Sequence, residues 1–291
     1  MAMASDSTQY ADANAFRRAL EDRLQNVARE RSIPLERLRK RITFDRLLAR
    51  LFDRRNPKPQ WILKGGYALE FRFHNIARTT KDVDFSMPHS HNADAYTIRT
   101  LLQNEAKKDL SDGFVFYIGV PVVELAQAVY GGWRYPVEAR VANRVFTKFH
   151  IDVGLGDAVI SEVEWKQGEA SLQFAGIEPA FAAILPLEQH FAEKIHAFSY
   201  PRDKRPFSRI RDLVDLVLII EQGLPEPQQV LSAIKATFER RNTHNFPQTL
   251  EPPPIALGAD YKQLAADCGV TKKTMAEAFA FLREYWVVIT Q

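Results

Sequence analysis

Hydrophobic positions follow a helical spacing at both ends of the chain and an extended pattern between them. Apolar residues recur every three or four positions over residues 13–31 and 34–52, which predicts two helices. Short β-branched and aromatic runs predict strands at 61–63, 82–85, 114–118, 133–141 and 145–153. Helical spacing returns at residue 184 and continues to the end, apart from a Pro-rich loop at 241–256.

These patterns predict three parts: an N-terminal helical arm at 1–55, a sheet-containing core at 56–185 and a helical C-terminal lobe at 186–291. The composition, with 46% hydrophobic and 26% charged residues, is typical of a soluble globular protein. One cysteine, Cys268, excludes an internal disulfide framework and gives no zinc signature. We see neither a secretory signal nor an apolar run that could span a bilayer, so we expect a cytoplasmic protein with no membrane partner.

Two aspartates, Asp82 and Asp84, flank Val83 on a predicted strand. Side chains alternate along a strand, so the two carboxylates should share one face and repel each other. A bound cation removes that repulsion, and oxygen ligands favour Mg²⁺ or Mn²⁺ over zinc. The spacing therefore predicts a divalent metal site.

A diglycine, Gly65-Gly66, separates the first predicted strand from a short helix. Glycine lets the backbone approach a ligand closely, and the first N–H groups of a helix bind phosphate well. Alone, a diglycine is usually a turn and an Asp-x-Asp is usually a solvated strand face. Together, with Arg78 and Thr80 in the loop between them, they favour metal-assisted transfer from a nucleoside triphosphate.

Asp152 is a third candidate metal ligand. It is out of phase with the apolar residues of its strand, so it would point with Asp82 and Asp84 if the strands are neighbours. The alternative is an ordinary polar position on a half-exposed strand. Asp157 is a further candidate, but the glycines before it favour a turn.

The helical lobe contributes two more candidates, Lys194 and Asp212. Lys194 lies beside an apolar stripe without belonging to it, so it could reach phosphates across a cleft. Asp212 could position Lys194, act as a base on an acceptor hydroxyl, or be structural. Asp215, three residues further on, is interpreted as an exposed acid that pairs with a local arginine. The basic stretch at 202–211 mildly favours a polyanionic acceptor over a small molecule.

Four motifs occur in order along the chain: LKGGYALEFRF, ARTTKDVDF, HIDVGLGD and LEQHFAEKIHAF…RDLVDL. Over residues 10–222 they resemble the AbiEii-type abortive-infection toxins, which are related to the mycobacterial MenT toxins. These proteins belong to the DNA polymerase β-like nucleotidyltransferase superfamily. The resemblance implies an α+β fold, in which a mixed sheet with flanking helices is followed by a helical C-terminal lobe.

The resemblance also implies a function. The protein would be the toxin of a two-gene toxin–antitoxin system and would transfer a nucleotide from an NTP, with release of pyrophosphate, to the 3′ end of tRNA. Its cognate antitoxin would be a winged-helix DNA-binding protein. Carried over motif by motif, the resemblance assigns triphosphate binding to Gly65, Gly66, Thr80 and Lys194. It assigns metal binding to Asp82 and Asp84, and catalytic roles to Asp82, Lys194 and Asp212.

Two alternatives stay open. A nucleotidyltransferase of this superfamily could modify a protein or a small molecule instead of tRNA. A nucleotide-binding module could also act through a partner without catalysis. The presence of Asp82, Asp84 and Lys194 argues against the module.

Overall fold

The structure, a computed structural model, describes residues 10–88, 90, 93–125, 129–201 and 207–291. Its helices are α1 (Ala13–Arg31), α2 (Leu35–Leu51), α3 (Gly65–Phe73), α4 (Ala95–Ala106), α5 (Leu187–Ser199), α6 (Phe207–Glu221), α7 (Pro227–Arg241), α8 (Gly258–Ala266) and α9 (Met275–Thr290). Its strands are β1 (Ile62–Lys64), β2 (Val83–Met87), β3 (Phe114–Ile118), β4 (Val123–Glu124), β5 (Gly132–Val141), β6 (Arg144–Leu155), β7 (Glu164–Gln167) and β8 (Phe181–Ile184).

The two N-terminal helices pack directly on the sheet. Asp12 caps α1 by accepting the Ala15 N–H at 2.8 Å, and Pro34 immediately precedes α2. Phe16 and Leu20, on the apolar stripe of α1, lie in the same buried cluster as the side chains of β2, β3, β5 and β6. The helical arm and the sheet therefore share one hydrophobic core.

Within the described residues, eight strands form one mixed sheet in the order β3-β5-β6-β2-β1-β8-β7, with β4 beside β5. The pairs β2–β6 and β1–β8 are parallel, and the other pairs are antiparallel. Ala142 and Asn143, both with positive φ, close the tight turn between β5 and β6. The parallel pairing of β2 with β6 brings the second and third motifs side by side.

The two faces of the sheet differ in what covers them. Apolar side chains of β3, β5 and β6 point into the core beneath α1, α2 and α4. The alternate side chains of the same strands, such as Val115, Tyr117 and Lys148, reach solvent. We call this exposed surface of β3, β5 and β6 the open face.

The helical lobe has its own buried apolar cluster, built from α5 to α9 and joined by Leu69 and Ala77 from the sheet side. None of the helices in the described part of the chain is long and apolar enough to cross a membrane. The division at residues 55 and 185 stays a prediction, although the second boundary falls between β8 and α5.

The predicted α+β architecture is confirmed: a mixed sheet with flanking helices precedes a helical lobe. The strands missed from the sequence are β4, β7 and β8, all of two to four residues. β8 reads Phe-Ala-Ala-Ile, which lacks the alternation that identifies longer strands. Its position in the sheet is fixed by pairing with β1, which lies far earlier in the sequence, and with the preceding strand β7.

Candidate active site

Four charged residues form a row across the middle of the sheet. Lys64 on β1 is opposite Asp84 on β2, and Asp84 is opposite Asp152 on β6. Arg134 on β5 is opposite Asp152 and completes the row. Cross-strand partners project from one face, and we call these four residues the charge row. Asp84 and Asp152 are thus neighbours, the condition on which the Asp152 prediction depended, while its role as a metal ligand stays a prediction.

Asp82 lies immediately before β2. Its Oδ1 accepts the backbone N–H of His150 at 3.2 Å and lies 3.3 Å from His150 Nδ1. His150 is two residues from Asp152 on β6, so its side chain projects from the face of the charge row. The contact with His150 therefore places Asp82 on the same side of the sheet as Asp84, as the spacing predicts.

The carboxylates of Asp84 and Asp152 have the chemistry of a site for a hard divalent cation. Burial and the adjacent charge of Asp152 raise the pKa of Asp84 to about 7, although Lys64 and Lys194 oppose the shift. A cation would remove this penalty, and the donors that Asp82, Asp84 and Asp152 offer are all carboxylate oxygens. The donor set therefore fits Mg²⁺ or Mn²⁺.

Arg134 holds the third carboxylate. Its Nε and Nη2 each donate to a different oxygen of Asp152 at 2.7 Å. Among the described residues, no three His, Cys, Asp or Glu side chains already converge on a metal position. To act as a third ligand, Asp152 would have to share or leave its bidentate pair with Arg134.

The diglycine lies against this row. α3 begins at Gly65, directly after β1, and Gly65 has φ of +68°. A Cβ at Gly65 would overlap the Asp84 carboxylate, and one at Gly66 would lie 2.8 Å from both Arg78 Nη2 and Thr80 Oγ1. The Thr80 hydroxyl is buried and has no hydrogen-bond partner in the described structure. A side chain at either glycine would therefore collide with its neighbours, and the unpartnered Thr80 hydroxyl lies beside the start of α3, where the first N–H groups of a helix favour phosphate.

Gly65→Ala is expected to destabilise the protein by about 2–3 kcal/mol and to abolish nucleotide transfer. Alanine is strained at the positive φ of this position, and its methyl group would displace Asp84. Gly176→Ala is the matched control. Gly176 has the same φ of +68° with nothing within 4 Å of its added Cβ, so only the backbone term of about 1 kcal/mol applies. Urea unfolding and transfer assays would compare the two. Equal stability losses would show that the contact with Asp84 has no role.

Lys194 and Asp212, the candidates from the helical lobe, are in contact. Lys194 Nζ lies 3.1 Å from Asp212 and 2.8 Å from Asp215. Arg78, from the loop before β2, donates to both oxygens of Asp215 at 2.8 and 2.9 Å. These two cations and two anions, which we call the Lys194 quartet, join the loop that follows the diglycine helix to α5 and α6.

The interpretation of Asp215 as an exposed acid is wrong. Its side chain is 1% exposed, and its main partner is an arginine 137 residues earlier in the sequence. Burial opposes its charge, but Arg78 and Lys194 lower the pKa of Asp215 to about 2. Its position within the apolar run of α6 was the available signal, because an acid buried there requires partners from elsewhere.

Burial raises the pKa of Asp212 above its usual range, even though Lys194 is close. For Lys194, burial opposes the charge, but Asp215 and Asp212 raise the pKa of its ammonium group. Lys194 therefore keeps its positive charge, which also acts on Asp84, and Asp212 takes a proton more readily than an ordinary aspartate.

A second buried group of charges joins the sheet to the helical lobe. Asp157 contacts Lys64 of the charge row and lies 3.0 Å from Arg241 on α7. Glu193 on α5 lies 3.5 Å from Lys64 and 3.2 Å from Arg241. We call these four residues the junction quartet. Asp157 directly follows the bend at Gly156, as the glycines before it indicated, and its side chain is 1% exposed and contacts two cations.

Most side chains of the basic stretch at 202–211 lie outside the part of the chain that the structure describes. Residues 202–206, and the side chains of 207–209, lie outside the described residues. Its interpretation as a contact for a polyanionic acceptor stays a prediction.

Comparisons with known proteins identify the family. The family model described as nucleotidyl transferase AbiEii toxin, type IV TA system, matches residues 46–284. The chain therefore belongs to the AbiEii family of nucleotidyltransferase toxins. This match extends beyond residue 222, where the sequence resemblance ended, and includes most of the C-terminal lobe.

A solved structure shows the same fold. The nucleotidyltransferase toxin MenT4 from Mycobacterium tuberculosis H37Rv superposes with a TM-score of 0.58 at 16% sequence identity. The alignment covers 93% of this chain and 89% of MenT4. No curated protein sequence matches the chain.

Proposed function

We propose that this nucleotidyltransferase toxin uses Mg²⁺ or Mn²⁺ to transfer a nucleotide from an NTP to the 3′ end of tRNA, and thereby inhibits translation in the cytoplasm. The observation that carries the proposal is the position of Asp84. Its carboxylate adjoins Asp152 on one side and the Gly65-Gly66 turn on the other. The paired carboxylate therefore lies beside the turn whose N–H groups would bind the triphosphate.

Asp82 and Asp84 would hold the metal. Asp152 would be a third ligand once Arg134 releases one of the two Asp152 oxygens. When bound, a divalent cation would neutralise charge on the triphosphate, ease deprotonation of the attacking hydroxyl and stabilise the leaving pyrophosphate. The raised pKa of Asp84 supports this assignment, because the carboxylate is costly to ionise without a cation.

The protein's own residues would bind and orient the triphosphate. The first N–H groups of α3, at Gly65 and Gly66, would donate to phosphate oxygens, and the unpartnered Thr80 hydroxyl could donate to another. Lys194 would add a fixed positive charge from the helical lobe. Its two aspartate partners hold it in place.

In the reaction, the acceptor oxygen bonds to the α-phosphorus, the bond between that phosphorus and the bridging oxygen breaks, and pyrophosphate leaves. The hydroxyl proton passes to a base. Asp212 is our candidate, because burial raises its pKa. Its contact with Lys194 at 3.1 Å equally supports a positioning role.

The tRNA acceptor and a winged-helix antitoxin rest on the family resemblance. Membership of a type IV toxin–antitoxin family supports an antitoxin partner. The chemistry of the site does not depend on either identity.

The test combines purified protein, Mg²⁺, each α-³²P-labelled NTP in turn, total bacterial RNA and lysate protein. Label in the tRNA band, lost when EDTA replaces Mg²⁺, is the expected result and also identifies the nucleotide. Label in a protein or a small molecule instead would contradict the tRNA acceptor. NTP binding without transfer to any acceptor would contradict the reaction.

A further inference from the structure

The open face leads away from the catalytic carboxylates as a broad groove of about 970 Å³. Its lining continues the charge row along the strands. Tyr117 on β3 is opposite Glu138 on β5, and Glu138 is opposite Lys148 on β6. Lys148 is four residues before Asp152, so this second row lies about 13 Å from the carboxylates at about 3.3 Å per residue.

The groove is strongly basic. Six lysines and arginines line it, of which Lys40 belongs to α2 and Arg99 to α4, whereas Asp82 and Glu138 are its acidic residues. Arg140 and Lys148 share the single carboxylate of Glu138, at 2.6 and 3.0 Å. Arg99 donates to the carbonyl oxygens of Ile118 and Gly119, which fix its guanidinium without neutralising it.

An aromatic ring lies among these cations. Tyr117 is 52% exposed on the edge strand β3, and the Arg140 guanidinium is 5.2 Å from the centre of its ring. Exposed aromatic rings beside basic side chains on an open sheet are suited to single-stranded nucleic acid, because bases stack on the rings while phosphates contact the cations.

We propose that the open face binds the single-stranded 3′ end of the acceptor RNA, with phosphates on Arg99, Arg140 and Lys148 and a base stacked on Tyr117. The strand would run from β3 towards β2 and present its terminal hydroxyl at Asp82 and Asp84. This proposal rests on the proposed function for the reaction itself. It adds the surface, the direction and the residues that recognise the acceptor.

The test measures binding of a short fluorescent single-stranded RNA ending in CCA, by anisotropy, with EDTA present and no NTP. The double variant Arg140→Gln/Lys148→Gln should bind about tenfold more weakly. Its log–log salt slope should fall by about 1.4, because two phosphate contacts are lost at roughly 0.7 each. Tyr117→Ala should bind roughly five- to a hundredfold more weakly with the salt slope unchanged.

The matched control is Lys235→Gln/Lys262→Gln, which removes two exposed cations from α7 and α8. It should bind RNA as wild type does. NTP binding, measured separately, should be unchanged in all variants. Wild-type RNA affinity and salt slope in the Arg140/Lys148 variant would overturn the proposal.

Failure of this proposal can be told apart from failure of the proposed function. If wild type labels tRNA but the open-face variants bind RNA normally, the reaction stands and the surface is wrong. If wild type binds no RNA and labels a protein, the RNA acceptor and the surface are both wrong.

Discussion

Asp84→Asn is expected to lower the rate of nucleotide transfer at least about a thousandfold, equivalent to several kcal/mol of transition-state stabilisation. Without metal, the Asp84→Asn variant should nevertheless be as stable as metal-free wild type or more stable. An amide keeps the size of the side chain and removes the charge that repels Asp152. Loss of activity without loss of stability is the pattern of a residue that serves chemistry at the expense of folding.

The same variant has a pH signature. The folded pKa of Asp84 is raised to about 7 from a usual value of 3.8, so the unfolded state releases this proton first as the pH rises. Metal-free wild type should therefore lose about 2–3 kcal/mol more stability between pH 5 and pH 8 than Asp84→Asn does. Urea unfolding in EDTA at the two pH values measures the difference. Parallel pH profiles would contradict the buried, repelled carboxylate.

Asp82→Ala tests the second proposed metal ligand, and Asp260→Asn is the control. Asp82→Ala should also abolish transfer and toxicity and leave the fold intact, since Asp82 is partly exposed and its contacts are with His150. Asp260→Asn removes an exposed carboxylate at the start of α8 and should leave transfer and toxicity at the wild-type level. Transfer retained by well-folded Asp82→Ala or Asp84→Asn would remove that residue from the metal site.

Asp215→Asn is expected to destabilise the protein by about 3–5 kcal/mol at pH 7. The substitution leaves Arg78 and Lys194 beside each other in a buried position with only Asp212 to balance them. The native pKa of about 2 lies below the usual 3.8, so this contribution is present above about pH 4 and declines as the pH falls towards 2. The difference from wild type should therefore narrow at low pH.

Asp212→Asn is the comparison for this prediction. Asp212 contacts Lys194 alone within the quartet, and its pKa is raised by burial, so neutralising it should cost much less stability. If Asp212 is the base, transfer should still fall strongly in this variant. Urea unfolding at pH 7 and pH 3 with transfer assays separates the two residues. A loss below about 1 kcal/mol for Asp215→Asn would contradict its structural role.

The parts of the site that could be predicted from sequence are those specified by local spacing. Alternation along a strand was sufficient to place Asp82 and Asp84 on one face, and the diglycine between strand and helix was sufficient to predict the turn at Gly65. Lys194 was identified from its position beside an apolar stripe. Each of these inferences uses residues within one element.

The parts that could not be predicted depend on pairing between distant elements. Nothing near Asp215 indicates that Arg78, 137 residues earlier, is its partner. Likewise, the bidentate pair between Arg134 and Asp152 follows from the register of β5 against β6. The glycines before Asp157 indicated the bend after β6, but not the burial of its carboxylate against Lys64 and Arg241. Sequence spacing carries no information about which charges meet once the lobe packs on the sheet.

The two quartets have a practical consequence for handling the protein. Each contains two cations and two anions and is largely buried, so salt screens it weakly and the junction between sheet and lobe should tolerate high ionic strength. The groove on the open face instead has six lysines and arginines in its lining but only two acidic residues. If it binds RNA as proposed, a wash in concentrated salt should remove that RNA while the two quartets stay intact.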